Sequence, residues 1–250
     1  MDEKWSWFLK KRHRCTDEEL AHERAGDWWD HVAFDAEHRL VLGVVFGRRD
    51  EVNVQRLMVA VQAQLQGRVP SLITTDGYSG YAEAFRRVFG VIVAPPPRKR
   101  GDPHRVAKRL VPPELTHAIV QKVIEGGRVV RVKRELAIGT RANLDAALAA
   151  SAVSTTVNTS FVERSNATDR HRNARRARRT YRFSKAKDAH EAAGYFTLYS
   201  YNFCWPVRTL REARGDGTHR PVTPAMAAGL SDHVWTVAEW ISYPARGDSS

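Results

Sequence analysis

SLITTDGYSGYAEAFRRVFGVIVA, residues 71–94, carries the alternation on which the architecture turns. SLITT (71–75) is short, apolar and partly β-branched, the pattern of a buried strand, and it stops at Asp76-Gly77. Tyr81, Phe85, Val88 and Phe89 then recur at helical spacing, so one apolar face of a helix follows, and VIVA (91–94) reads as the next strand. A strand, a helix and a second strand in this order form a strand–helix–strand unit and point to an α/β class.

Working outward toward the N-terminus, residues 52–66 set Val54, Leu57, Met58, Val61 and Leu65 on one helix face behind Asp50 or Asn53 as cap. RLVLGVVF (39–46), WWDHVAF (28–34) and KWSWFLKK (4–11) read as three earlier strands, joined by AEHR (36–39) and CTDEELAHERAG (15–26). Toward the C-terminus, PPPRKRGDP (95–103) is a basic, Pro-rich loop, and residues 116–136 read as a hairpin turning at Gly126-Gly127. Small-residue helix is expected at 144–151, a long helix at 187–203 and short helices in TPAMAAG (223–229) and SDHVWTVAEWI (231–241). No internal repeat is visible. The expected fold is a mixed sheet flanked by helices, with an inserted β-hairpin and a helical C-terminal extension. Its divisions are expected at 1–94, 95–150, 151–212 and 213–250.

The 250 residues are 42% hydrophobic, enough for a sizeable core, which excludes disorder for the whole chain. No apolar run is long enough to cross a membrane, and Met-Asp-Glu-Lys begins no signal segment, so a cytoplasmic protein without a membrane partner is expected. Cys15 and Cys204 lie far apart with no CxxC pair, so any metal is expected on oxygen or imidazole. The formal charge of +12 points to a polyanionic partner, nucleic acid first. Arginine-rich composition also follows from a GC-rich genome, so distribution weighs more than the total. Residues 161–190 hold ten Lys or Arg against three acids, and HRNARRARRTYRFSK (171–185) is dense enough for a contact surface.

Three carboxylates stand at conspicuous places: Asp2 heading the first strand, Asp76 ending the fourth and Glu163 opening a late helix. In a mixed sheet of this order the first and fourth strands are expected to be neighbours, so Asp2 and Asp76 would converge, and carboxylate oxygens suit hard divalent ions. Each has a structural alternative. Ser160-Phe161-Val162-Glu163 matches a capping box, Asp76-Gly77 is a turn signal, and Asp2 is a terminal charge. Asp35 is a spare carboxylate that turn chemistry explains. Trp5, Trp7, Trp28 and Trp29 read as sheet packing, and His190 and His233 as structural or exposed.

Seven segments carry a resemblance in order: DEKWSWF (2–8), VVFGRRD (44–50), TTDGYSGY (74–81), TSFVERSNATDRHR (159–172), RTYRFSKAK (179–187), YNFCWPVRTLR (201–211) and TPAMAAGLSDHVW (223–235). The chain resembles the DDE transposases of bacterial insertion sequences, specifically the insertion sequence one family. The resemblance implies an RNase H-like core with Asp2, Asp76 and Glu163 as a catalytic triad holding Mg2+ or Mn2+. It further implies DNA strand cleavage and strand transfer on element ends and target DNA, in a homo-oligomeric synaptic complex. Asn166 and Arg170, at i+3 and i+7 from Glu163, share its helix face and are expected to orient the scissile phosphate. Arg172, Arg175, Arg176, Arg178, Arg179, Arg182 and Lys185 are expected to grip the DNA backbone.

Two departures accompany the resemblance. Family members carry an N-terminal zinc-ribbon or helix-turn-helix region, whereas this sequence starts one residue before Asp2, and Val207 stands where the family often has His. The alternatives are therefore a truncated, catalytically impaired DNA-binding remnant, recognition supplied by a separate reading frame, or another RNase H-like nuclease.

Overall fold

A computed structural model describes residues 1–94 and 107–244. The expected loop at 95–103 lies outside the described residues. In chain order the elements are β1 (Asp2–Phe8), α1 (Asp17–Ala21), β2 (Gly26–Asp35), β3 (Leu40–Gly47), α2 (Glu51–Leu65), β4 (Leu72–Thr75), α3 (Gly80–Phe89), β5 (Val91–Val93) and β6 (Lys108–Leu110). There follow β7 (Thr116–Glu125), β8 (Arg128–Ile138), α4 (Arg141–Ala150), α5 (Ser160–Arg172), α6 (Lys187–Cys204), β9 (Glu212–Ala213), β10 (His219–Arg220), α7 (Pro224–Ala227) and α8 (Val237–Ser242). The class is mixed α/β. No described helix is long and apolar enough to cross a membrane.

Among the described residues the strands form two three-stranded sheets, ordered β1-β2-β3 and β4-β7-β8, and two two-stranded ribbons, β5-β6 and β9-β10. β4 runs parallel to β7 with Leu72 opposite Thr116 and Thr75 opposite Ile119. The strand, helix and strand read from 71–94 are thus all present, the second strand lying outside the sheet of the first. Val91–Val93 pairs antiparallel with Lys108–Leu110 as an exposed ribbon, and β7 takes the place beside β4. β7 has a layer to pack against: its Ala118 and Val120 join Leu144 of α4 and Val157 in a buried cluster. The expected insertion at 116–136 is consequently a paired part of the sheet that contains β4. Its turn is as read, since Glu125 faces Arg128 across Gly126 and Gly127, whose φ values of 55° and 77° suit glycine in a two-residue turn.

The expected pairing of β1 with β4 is replaced by two separate sheets, linked by the Met1 ammonium donating to the Thr74 carbonyl at 2.6 Å.

The chain packs as two compact units. The first comprises Met1–Trp5, Trp28–Ala33 and Gly43–Glu163, and the second Ser6–Asp27, Phe34–Leu42 and the chain from Arg164 onward. In the first, α2 lies over β3 at Gly43, where even a Cβ would make ordinary van der Waals contact, 3.6–3.7 Å from Leu57, Ala60 and Val61. Asp50 caps α2, accepting from the Asn53 amide at 2.9 Å. In the second, Asn202 of α6 clamps β3 by exchanging two 2.9 Å bonds with the Val41 backbone. Thr16 makes a capping box with Glu19 and turns part of the expected 15–26 connection into α1.

Candidate active site

In the first unit, Asp76 sits directly after β4. One carboxylate oxygen accepts from the Tyr78 amide at 3.1 Å, so the turn reading is realised, and the other faces Arg49 Nη2 at 3.2 Å. Glu3, its side chain wholly buried, holds the same guanidinium through Nε at 3.2 Å and Nη2 at 3.0 Å, and accepts from the Tyr81 hydroxyl. Arg49 also covers the Tyr78 ring at 4.8 Å.

Burial, and then the neighbouring Glu3 charge, push the Asp76 carboxyl above the ordinary carboxylate value. The same two causes push Tyr81 far up. The Met1 ammonium is pulled down by burial, while the charges of Asp2, Glu3 and Asp76 work against that. Asp2 and Asp76 thus both bear on one ammonium, which itself bonds Thr74, two residues before Asp76. Sequence reasoning missed Glu3, Arg49 and Tyr81, although DEKWSWF opens with two adjacent acids and VVFGRRD contains Arg49.

His117 of β7 fixes the approach to Asp76. Its Nε2 lies 2.9 Å from Thr75 Oγ1, and that hydroxyl donates to the Asp76 carbonyl at 2.9 Å, so Nε2 is the donor to Thr75. The ring is wholly buried, 4.6 Å from that of Phe85. Burial, assisted by the N-terminal ammonium, lowers its pKa to about 4. An unfolded histidine takes a proton near pH 6.5, which the folded one refuses until about pH 4. Stability is therefore expected to fall as pH drops through that window, by about 3 kcal/mol once complete. Urea midpoints at pH 7 and 4.5 check this, because His117→Gln removes the histidine-specific part of the loss.

Glu163 occupies the first turn of α5. Thr159 Oγ1 donates to its Oε1 at 2.6 Å, and Lys122 of β7 reaches both oxygens at 2.5–2.6 Å. The expected Ser160 capping box is not formed. Asn158 Oδ1 takes the Ser160 amide at 3.1 Å and its hydroxyl at 2.6 Å, because the helix already begins at Ser160. The Asn158 carbonyl accepts from Thr74 Oγ1 at 3.1 Å, which ties the entrance of α5 to β4 two residues before Asp76.

Among the described residues no three His, Cys, Asp or Glu side chains form a group ready to hold a metal ion. The donors nevertheless fit a hard cation. Asp76 and Glu163 are about one-third exposed, at 34% and 39%, and each already holds a cationic side chain, Arg49 and Lys122, in the role a divalent ion would take. Asp35 is used by the β2–β3 turn, accepting from the Glu37 amide at 2.8 Å and pairing with His38 at 2.6 Å.

In the second unit the basic segment divides in two. Arg175, Arg178, Arg179, Arg182 and Lys185 are exposed, as expected of a contact surface. Arg176 is not: at 2% exposure its guanidinium bonds Ser6 Oγ at 3.0 Å, the His190 carbonyl at 3.0 Å and His190 Nε2. Burial in this network removes it from the expected DNA-gripping set. Asn166 is also buried, at 3% exposure, and Arg170 half-buried, so Asn166 does not present an open phosphate contact. Arg172 lies 4.2 Å over the Trp205 ring and 5.1 Å from that of Tyr201. The boundary between the units falls inside α5, after Glu163.

No protein-family model, no curated protein and no solved structure matches this chain.

Proposed function

We propose that the chain is a DDE transposase of RNase H-like fold that cleaves DNA strands and joins the freed 3′ hydroxyl to a target. One observation carries the reading: Asp76 directly follows β4, the Met1 ammonium next to Asp2 in the chain donates to Thr74 of that strand, and the helix bearing Glu163 is tied to the same strand through Thr74 and Asn158. Asp2, Asp76 and Glu163 would hold Mg2+ or Mn2+. Bound there, the ion supplies activation of the attacking oxygen and stabilisation of the leaving oxygen. The protein's own work is to gather and orient. Glu3 and Tyr81 hold Arg49 against Asp76, His117 locks Thr75, and Lys122 steadies Glu163. Arg175, Arg178, Arg179, Arg182 and Lys185 attract the phosphate backbone without reading sequence. Joining two ends to a target calls for a homo-oligomer on DNA.

A second reading is a DNA-binding protein without cleavage. The ion pairs favour it, because Arg49 and Lys122 already neutralise Asp76 and Glu163.

The test is supercoiled plasmid incubated with the full chain and Mg2+ or Mn2+, with a labelled oligonucleotide bearing a free 3′ hydroxyl. Nicking that chelation stops, together with joined product, is the expected result. Nicking without joining selects another RNase H-like nuclease. A folded protein that binds the plasmid and leaves it intact with either metal selects the binding-only reading.

A further inference from the structure

Tyr181 stands wholly in water, at 102% relative exposure. A ring of this size normally covers apolar surface and finds a partner for its hydroxyl. Here it projects from the densest run of positive charge in the chain, between the exposed Arg178 and Arg179 on one side and Arg182 on the other.

The segment that presents it is anchored at both ends within the second unit. Before it, Arg176 is locked into the Ser6–His190 network. After it, Phe183 packs against Trp7 with ring centroids 4.5 Å apart, and the buried Ser184 accepts from the Leu9 amide at 2.8 Å. Between these anchors, Thr180 Oγ1 accepts from the Arg182 amide at 2.9 Å and shapes the turn around Tyr181. The ring is therefore offered from a fixed base, which lowers the ordering cost of a stacked partner.

An aromatic face among cations matches the chemistry of single-stranded nucleic acid: the cations attract the phosphates and the ring stacks on a base. In an intact duplex every interior base is already stacked on both sides, so the ring finds a free face only where a base is unpaired. Arginines so close to the ring argue against an apolar protein groove as its seat. We infer that Tyr181 is a stacking residue for an unpaired DNA base, with Arg178, Arg179 and Arg182 holding the adjoining phosphates. The inference rests on the DNA-directed reading above, and deepens it by naming the strand state the surface takes.

Fluorescence anisotropy on the full chain without metal tests it, using a dye-labelled single-stranded oligothymidylate and a blunt duplex of equal length. Tyr181→Ala is expected to weaken single-strand binding about tenfold or more and duplex binding by less than about twofold. Tyr181→Phe keeps the π face and is expected to bind as the wild type does. If Tyr181→Ala holds the single strand as tightly as the wild type, the stacking role is overturned while the DNA reading stands. If the folded wild type binds neither oligonucleotide, the DNA reading falls and this inference with it.

Discussion

Asp76→Asn is expected to lower metal-dependent nicking by at least about a hundredfold, the scale on which a single preorganised electrostatic group at a reacting centre acts. The substitution is close to isosteric. Its side-chain oxygen still accepts from the Tyr78 amide, so the turn after β4 survives. What disappears is the charge that a divalent ion requires. The fold is expected to tolerate the change, since burial and Glu3 already disfavour the ionised carboxylate in the native state. The lost attraction to Arg49 is a partly exposed pair and contributes little, and Arg49 keeps Glu3. Thermal stability should therefore stay level or rise slightly while Mn2+ binding by calorimetry and plasmid nicking both vanish. Undiminished nicking by Asp76→Asn would remove Asp76 from the site and the proposed triad with it.

Much of this arrangement was legible in the sequence, for reasons that differ by element. The strand-to-Asp76 transition could be read because β4 is short, apolar and followed at once by the Asp-Gly turn signal. α2 and α6 could be read from their period, and the hairpin from its paired glycines. The strand read at VIVA is present as Val91–Val93, but its partner Lys108–Leu110 lies beyond any local window, so its place outside the β4 sheet could not be read. In β1 the alternation of period two was right, yet the more buried residues are Lys4, Ser6 and Phe8 and not the tryptophans. Lys4 is buried because Asp30 meets it at 3.0 Å, and Ser6 because His190 and Arg176 do. The Glu3–Arg49–Asp76–Tyr81 cluster is likewise a product of tertiary pairing between residues 27 to 78 positions apart, which no local window contains.

The same limit explains why two arginines that look interchangeable on paper are expected to behave oppositely. Residues 173–186 have no sustained helical or strand period, so nothing in the sequence phases Arg176 inward and Arg178 outward. Arg176→Ala takes a fork-shaped charged donor away from Ser6 Oγ, the His190 carbonyl and His190 Nε2. Because guanidinium cannot accept, His190 Nε2 offers its lone pair and Nδ1 turns its proton to Ser184 at 3.1 Å, so the loss spreads through the ring. Hydrogen bonds from a charged donor contribute about 1.5–3 kcal/mol each, so Arg176→Ala, which removes several of them from a buried site, is expected to destabilise the chain by about 3–4 kcal/mol. Urea denaturation reads this directly. Arg178→Ala should stay within about 0.5 kcal/mol of the wild type, yet lower the slope of log DNA affinity against log salt by about 1. Should Arg176→Ala instead keep full stability and lose DNA affinity, the side chain would be working at the surface, and the buried network would not describe the protein in solution.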